Sequence, residues 1–183
     1  MKGIVFTEFL EMVEAKMGMD MQDRIIVAAN LPNDGAYTAV GTYDHAELVR
    51  LVVALSDASG TPVPALIQFF GGYLFERFAL LYPAFFTGVD SAFTFLGRIE
   101  NYIHVEVRKL YPEAELPTFE CENPTPDSMQ MLYSSPRGFG DLAEGLIQGC
   151  IIHFGGGIGL RRTDLPALDG KQRVRFYLER QVA

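Results

Sequence analysis

The stretch PEAELPTFECENPTPDSMQMLYSSPRG, residues 112–138, decides the fold. Four prolines, Pro112, Pro117, Pro124 and Pro126, exclude a continuous helix here, because an interior proline lacks an N–H and clashes with the preceding turn. Residues 117–122 and 128–135 read instead as two strands of a hairpin, joined through Asn123-Pro-Thr-Pro-Asp127. At the end of the second strand stand Tyr133, Ser135 and Arg137, two residues apart. On an extended chain such positions project from one side. They would present a phenol, a hydroxyl and a guanidinium together, which suits one or two carboxylates held by charge-assisted hydrogen bonds. Arg137 sits between Pro136 and Gly138, a rigid–flexible turn that would aim it.

Upstream of this stretch the pattern is helical. Residues 2–17 place Val5, Phe9, Met12 or Val13, and Lys16 along one stripe, with Glu8, Glu11 and Glu14 mostly on the other side, and Gly18 stops the helix. Asp20 can cap a second helix through about Asn30, before Pro32. Asn33-Asp34-Gly35 is a turn signal, and Tyr37 to Tyr43 gives no clear element. Asp44 can cap a third helix to about Ser59, stopped by Gly60. A fourth covers residues 63–81 despite Gly71-Gly72. Each of those glycines costs roughly 1 kcal/mol against alanine, which close approach of a ligand or another helix would offset. Pro83 to Gly88 is a break, and residues 90–110 read as one long helix carrying His104.

Downstream, Gly140 to about Phe154 is helical and Gly155 to Gly159 is a loop. Arg173 to Leu178 is a strand with which residues 158–163 can pair. The fold class is therefore α+β: an N-terminal helical part, then a mixed part with an antiparallel sheet.

Composition narrows the function. The chain has 183 residues and 49% apolar content, enough for one domain with a substantial core. Fourteen Phe and eight Tyr without Trp fit a chain that also lines an apolar pocket. The net charge of −8 argues against non-specific nucleic-acid binding. It also makes an organised cationic clamp at Arg137 unlike a solvated surface accident. Cys121 and Cys150 are too few for a disulfide framework or a zinc site, so a reducing compartment is expected. The start meets Glu8, Glu11 and Glu14 too soon for a signal peptide, and Gly3 does not fit a myristoylation pattern. No segment reaches the ~18 uncharged apolar residues of a membrane span. The expectation is a soluble, cytoplasmic protein. Gly155-Gly-Gly-Ile-Gly159 lacks the Gly-Lys-Ser/Thr ending of a P-loop, and the common hydrolase and metalloprotease motifs are missing.

His104 is one of three histidines and lies in an aromatic-rich helical pattern. Gly97, Glu100 or Asn101, His104 and Arg108 share a strip of that helix, beside an apolar face of Ile99, Ile103, Val107 and Leu110. By residue pattern alone a half-buried structural histidine is the more common outcome. His45 beside Asp44 reads as part of an exposed cap, and His153 as a helix C-terminal residue that suits the helix dipole. A carboxylate clamp with a histidine in an apolar setting suggests an anionic, metal-bearing, largely apolar ligand, and haem fits that description.

The start Met-Lys-Gly-Ile-Val-Phe, His104 followed thirteen residues later by Pro117, and the Tyr133-x-Ser135-x-Arg137 clamp together resemble the H-NOX domains, the haem nitric oxide/oxygen binding family related to the haem domain of soluble guanylate cyclase. The resemblance runs over essentially the whole chain. It implies one haem-binding sensor domain over residues 1–183, with a helical subdomain of about 1–60 and a haem-binding α/β subdomain of about 61–183. It implies haem b buried between the two parts, with His104 as the iron ligand, Tyr133, Ser135 and Arg137 on the propionates, and Pro117 pressing on the ring.

In family members that hold oxygen, a tyrosine lies seven residues after the clamp serine. Here that position is Leu142, and Leu146 follows on the same face. Ile4, Leu74 and Phe78 look like the rest of the lining, with no hydrogen-bond donor. Bound O₂ gains much from such a donor, whereas NO and CO need it far less. The expectation is a nitric oxide sensor that also binds carbon monoxide, is not an enzyme, and signals through a separate partner. By family analogy that partner is a sensor histidine kinase or a cyclic-di-GMP enzyme. An oxygen-binding protein, or a haem enzyme of the NO dioxygenase or peroxidase type, is the alternative. An iron-free binder of a bilin or fatty acid is another.

Overall fold

Asp44 accepts a hydrogen bond from the Ala46 N–H at 2.9 Å and starts a helix where the sequence places one. The computed structural model describes residues 1–181. In chain order the helices are α1 (Gly3–Met17), α2 (Met19–Ala29), α3 (His45–Ser59), α4 (Val63–Leu81), α5 (Ala92–Gly97), α6 (His104–Leu110) and α7 (Gly140–His153). The strands are β1 (Thr118–Thr125), β2 (Ser128–Ser135), β3 (Ile158–Leu168) and β4 (Lys171–Arg180). They form one antiparallel sheet in the order β1-β2-β4-β3. The expected α+β architecture, helices first and sheet after, is what the chain adopts.

Two apolar cores hold it together. One joins α1–α3 through Phe6, Phe9, Leu51 and Leu55, and takes Leu66, Phe70 and Leu74 from α4. The other lies under the sheet, where Met131, Val174 and Phe176 meet Phe95 of α5 and Ile147 and Cys150 of α7. Strand β2 alternates as a half-buried strand should, with Met129, Met131, Tyr133 and Ser135 facing inward. Helix α4 belongs to both cores, because Phe75 enters the second. It packs on α7 through Gly71 and Gly145. Close approach of another helix is what offsets the cost of a glycine there.

The segment between α2 and α3, unassigned from sequence, completes the start of α1. The N–H groups of Gly3 and Ile4, unpaired at a helix N-terminus, donate to Gly41 O at 2.9 Å and Ala39 O at 3.0 Å.

Three expectations change. Glu8 does not face solvent: it is 4% exposed and accepts from Arg77 Nε of α4 at 2.6 Å. Arg77 also reaches Glu11 at 3.1 Å, so the two helices are tied by a charge pair across their interface. Strand β1 runs to Thr125, further than residue 122, with a register shift between Glu122 and Thr125. Pro124 falls in that shift, on an edge strand, where a missing N–H is tolerated. The helix over residues 90–110 is not continuous. It breaks after Gly97, and a π-helical turn over Ile99–Ile103 precedes α6. Single π turns inside helices gather at functional sites, and this one ends at His104.

Candidate functional site

The π turn sets the surroundings of His104. Ile103 N–H donates to Arg98 O at 3.1 Å, one residue further back than in an α-helix, and the backbone N–H of His104 donates to Ile99 O. Across this widened turn, Glu100 Oε2 stands 3.0 Å from His104 Nδ1. Arg108 Nη2 donates to Glu100 Oε1 at 3.2 Å, and the Phe119 N–H of β1 donates to Oε2 at 3.2 Å. The His104 ring is buried and lies 6.0 Å from the Phe119 ring, centroid to centroid.

Electrostatics follow from this packing. Burial lowers the His104 pKa below the usual imidazole range, and the Glu100 carboxylate opposes that shift without reversing it. The imidazole is therefore neutral at physiological pH. Burial alone would raise the Glu100 carboxyl, but hydrogen bonds from His104, Phe119 N–H and Arg108 outweigh it and hold the group below its ordinary value. A carboxylate only accepts, so Nδ1 carries the imidazole proton and Nε2 keeps its lone pair. That is the tautomer and support a metal-ligating histidine uses.

The clamp residues converge from β2 and the turn after it. Tyr133 and Ser135 are buried. Tyr133 Oη accepts from the Phe139 N–H at 3.1 Å, and Ser135 Oγ accepts from the Arg137 N–H at 3.2 Å. Each hydroxyl therefore retains its own O–H to donate to an acceptor. Arg137 pairs with the carboxylate of Glu115, an exposed residue. A guanidinium with an exposed carboxylate partner is already arranged for a carboxylate ligand. Strand pairing sets Phe119 opposite Tyr133, with ring centroids 5.6 Å apart. Phe119 thus stands between the histidine and the clamp. Pro117 lies half-buried one residue before β1, between Glu115 and Phe119.

The remaining sequence-predicted residues lie on the helical side. Leu74 is buried in the first core, and Phe78, Leu142 and Leu146 are partly buried against it. Ile4 is partly buried, but Val5 is the α1 neighbour that packs on this core. His45 is a flanking residue of the Asp44 cap, its Nδ1 3.2 Å from Asp44 Oδ1. His153 stands among aromatic rings, 5.1 Å from Phe86 and 4.9 Å from Phe154.

Sequence reasoning missed Phe119 and Glu115, and it saw Glu100 only as a neighbour on the strip. Hairpin register would have found Phe119, because the pairing of β1 with β2 sets it across from Tyr133. Glu115 and Arg137 are 22 residues apart, and no local signal joins them.

Among the described residues no group of three or more His, Cys, Asp or Glu is placed to hold a metal ion. His104 offers one lone pair, and a cofactor that brings its own metal ligands is one kind of group it could hold. A haem satisfies each part: one imidazole for its iron, two hydroxyls and a guanidinium for its carboxylates, and apolar side chains for its ring.

A family model described as Haem-NO-binding matches residues 2–161, which take in the first core, His104 and the clamp. This chain belongs to the H-NOX family. It is similar to the Fe(II) unliganded H-NOX protein from K. algicida, at 36% identity and a TM-score of 0.88, covering 100% of this chain and 98% of that one. It is also similar to the H-NOX from Shewanella woodyi, solved in solution with IWP-051 bound and in the Fe(II)CO ligation state. There the identity is 38% and the TM-score 0.83, over 98% of this chain and 94% of that one. No match emerged among curated protein sequences. As an H-NOX chain it has a haem-binding sensor fold. No helix among its described residues is long and apolar enough to cross a membrane.

Proposed function

We propose that this H-NOX chain is a cytoplasmic nitric oxide sensor that holds one haem b, with His104 as the protein ligand to iron. The observation that carries the reading is the pairing of His104 Nδ1 with Glu100, which leaves the neutral Nε2 as a free donor in a buried setting. Tyr133, Ser135 and Arg137 then take the propionates, Arg137 exchanging Glu115 for a propionate. Pro117 and Ile4, with Leu74, Phe78, Leu142 and Leu146, contact the ring. Haem supplies the iron that binds the gas.

The lack of a hydroxyl at Leu142 and Leu146 supports NO and CO over O₂ as ligands. Were gas binding at the haem to loosen its hold on His104, α6 would be freed, while Glu100 couples that helix to β1 through the Phe119 N–H. Two packings of α6 against β1, biased by a ligand, constitute a switch. The protein acts as a sensor rather than an enzyme, and its output passes to a separate sensor histidine kinase or cyclic-di-GMP enzyme.

An absorption spectrum of the reduced protein, with and without NO, tests the reading. The expected result is a Soret band that shifts on adding NO or CO and is absent in His104→Ala protein. Added imidazole should restore part of that band, and His45→Ala and His153→Ala should retain it. Loss of haem in either of those variants, with retention in His104→Ala, would overturn the ligand assignment.

A further inference from the structure

We infer that Glu100 is the positioning residue of the iron ligand: its carboxylate fixes His104 through Nδ1 and sets how strongly the imidazole donates to iron, while Arg108 tempers it. This rests on the proposed haem site at His104.

Three donors converge on one carboxylate. Oε2 takes His104 Nδ1 at 3.0 Å and the Phe119 N–H at 3.2 Å, and Oε1 takes Arg108 Nη2 at 3.2 Å. The Phe119 contact crosses from the π turn to a strand nineteen residues on. An exposed helical ion pair at this spacing contributes little and orders nothing beyond its own helix. Here the carboxylate joins the ligand's turn, the ligand's ring and the strand that follows Pro117. Glu100 lies in the π turn and from there reaches both His104 and β1.

A hydrogen bond from an imidazole N–H to a carboxylate is charge-assisted and roughly twice as strong as one to a neutral carbonyl. It draws the Nδ1 proton toward the acceptor and raises electron density at Nε2, so the ligand becomes more basic. Arg108 acts in the opposite sense. Its positive charge on the other oxygen withdraws density from Glu100 and weakens the pull on Nδ1. The side chain of Arg108 is 42% exposed, so replacing it leaves no buried hole. The pair forms a two-step adjustment of the bond that NO must break: Glu100 strengthens it and Arg108 restrains the strengthening.

The test is the iron–histidine stretching band in resonance Raman spectra of the ferrous protein, for wild type, Glu100→Gln and Arg108→Met. Glu100→Gln retains shape and an acceptor oxygen but loses the charge, so the band should move to lower frequency. Arg108→Met should move it to higher frequency. The NO complex should follow: a larger five-coordinate fraction in Glu100→Gln and a smaller one in Arg108→Met. A purely structural role would loosen the site in both variants and move both bands the same way. Unchanged bands, or bands moving together, in haem-loaded variants would overturn the inference. If Glu100→Gln does not yield folded protein, Arg108→Met decides alone: a rise supports the inference, and no change or a fall overturns it. A wild-type protein that takes up haem without any iron–histidine band would instead defeat the assignment of His104 itself.

Discussion

The backbone of Gly145 lies against the carbonyl of Gln68 so closely that a Cβ on Gly145 would stand 2.0 Å from that oxygen. The contact is reciprocal, since a Cβ on Gly71 would stand 2.5 Å from Leu142 O. Helices α4 and α7 therefore meet backbone to backbone, and this contact fixes where Leu142 and Leu146 sit relative to Leu74 and Phe78. In an exposed helix, Gly→Ala gains about 1 kcal/mol. At Gly145 the added methyl has no room, and overpacking costs about 1–3 kcal/mol before that gain is counted. Gly145→Ala should lower the melting temperature by several degrees, at roughly 2–4 °C per kcal/mol for a chain of this size. A Cβ on Gly72 would meet only Gly145 O, at 3.8 Å, so Gly72→Ala should be neutral or stabilising. Thermal unfolding followed by circular dichroism checks both.

The haem-free protein should lose stability on acidification. The pKa of His104 is lower in the folded chain than in the unfolded one, because burial disfavours its charge. Its contribution is complete above about pH 6.5, the unfolded value, and is lost as pH falls through the lower folded value. Glu100 is also depressed, by its three donors, and adds a second loss at more acid pH. Both act with the same sign, so the urea midpoint should fall as pH drops below about 6.5. His104→Leu should remove the first decline and, by taking away one of the three donors to Glu100, reduce the second.

At the clamp, Arg137→Ala removes the one guanidinium of the set. Charge-assisted hydrogen bonds contribute about 1.5–3 kcal/mol each, so haem transfer to apomyoglobin should accelerate roughly 10-fold or more. Tyr133→Phe and Ser135→Ala should each do less. Glu115→Gln removes a carboxylate that occupies Arg137, so it should leave haem retention equal or improved. Faster haem loss in Glu115→Gln would show that the pair supports the site rather than competing for it.

On the proposed reading, ligand choice rests on Leu142. The ferrous protein in air should oxidise or stay unligated, without forming a stable oxy complex, and should bind CO and NO. Leu142→Tyr should place a phenol over the ligand side, where a hydrogen bond to O₂ contributes about 1 kcal/mol, or several-fold in affinity. A stable oxy spectrum of the wild-type protein would mean that another donor reaches the gas. Tyr73, partly buried against the first core, is the residue to replace in that event.

Most of the fold was legible because its signals are local. Asp44 caps α3, Gly60 ends it, and α4 occupies residues 63–81 as its periodicity predicts. Prolines near residue 120 forced a hairpin, and period two in β2 set Tyr133 and Ser135 on its inner face. What failed depended on partners far along the chain. Glu8 looked like a solvent residue, yet Arg77, 69 residues away, draws it into an interface. The π turn was invisible because Ile99–Ile103 is composed as an ordinary helix would be.

The sequence by itself determined the order of elements, the alternation that groups the clamp, and the histidine in its apolar strip. Each of these is a matter of spacing along one element, where 3.6-residue and two-residue periods dictate which side chains share a face. Only the tertiary structure decided what His104 touches. The convergence of its neighbour Arg108, the Phe119 N–H and the imidazole on Glu100 needs a helix, a widened turn and an edge strand to meet in space. Likewise the pairing of Arg137 with Glu115 and the seating of Gly145 on Gln68 are contacts between elements. They are fixed by how two apolar cores pack, a long-range outcome that no local period encodes.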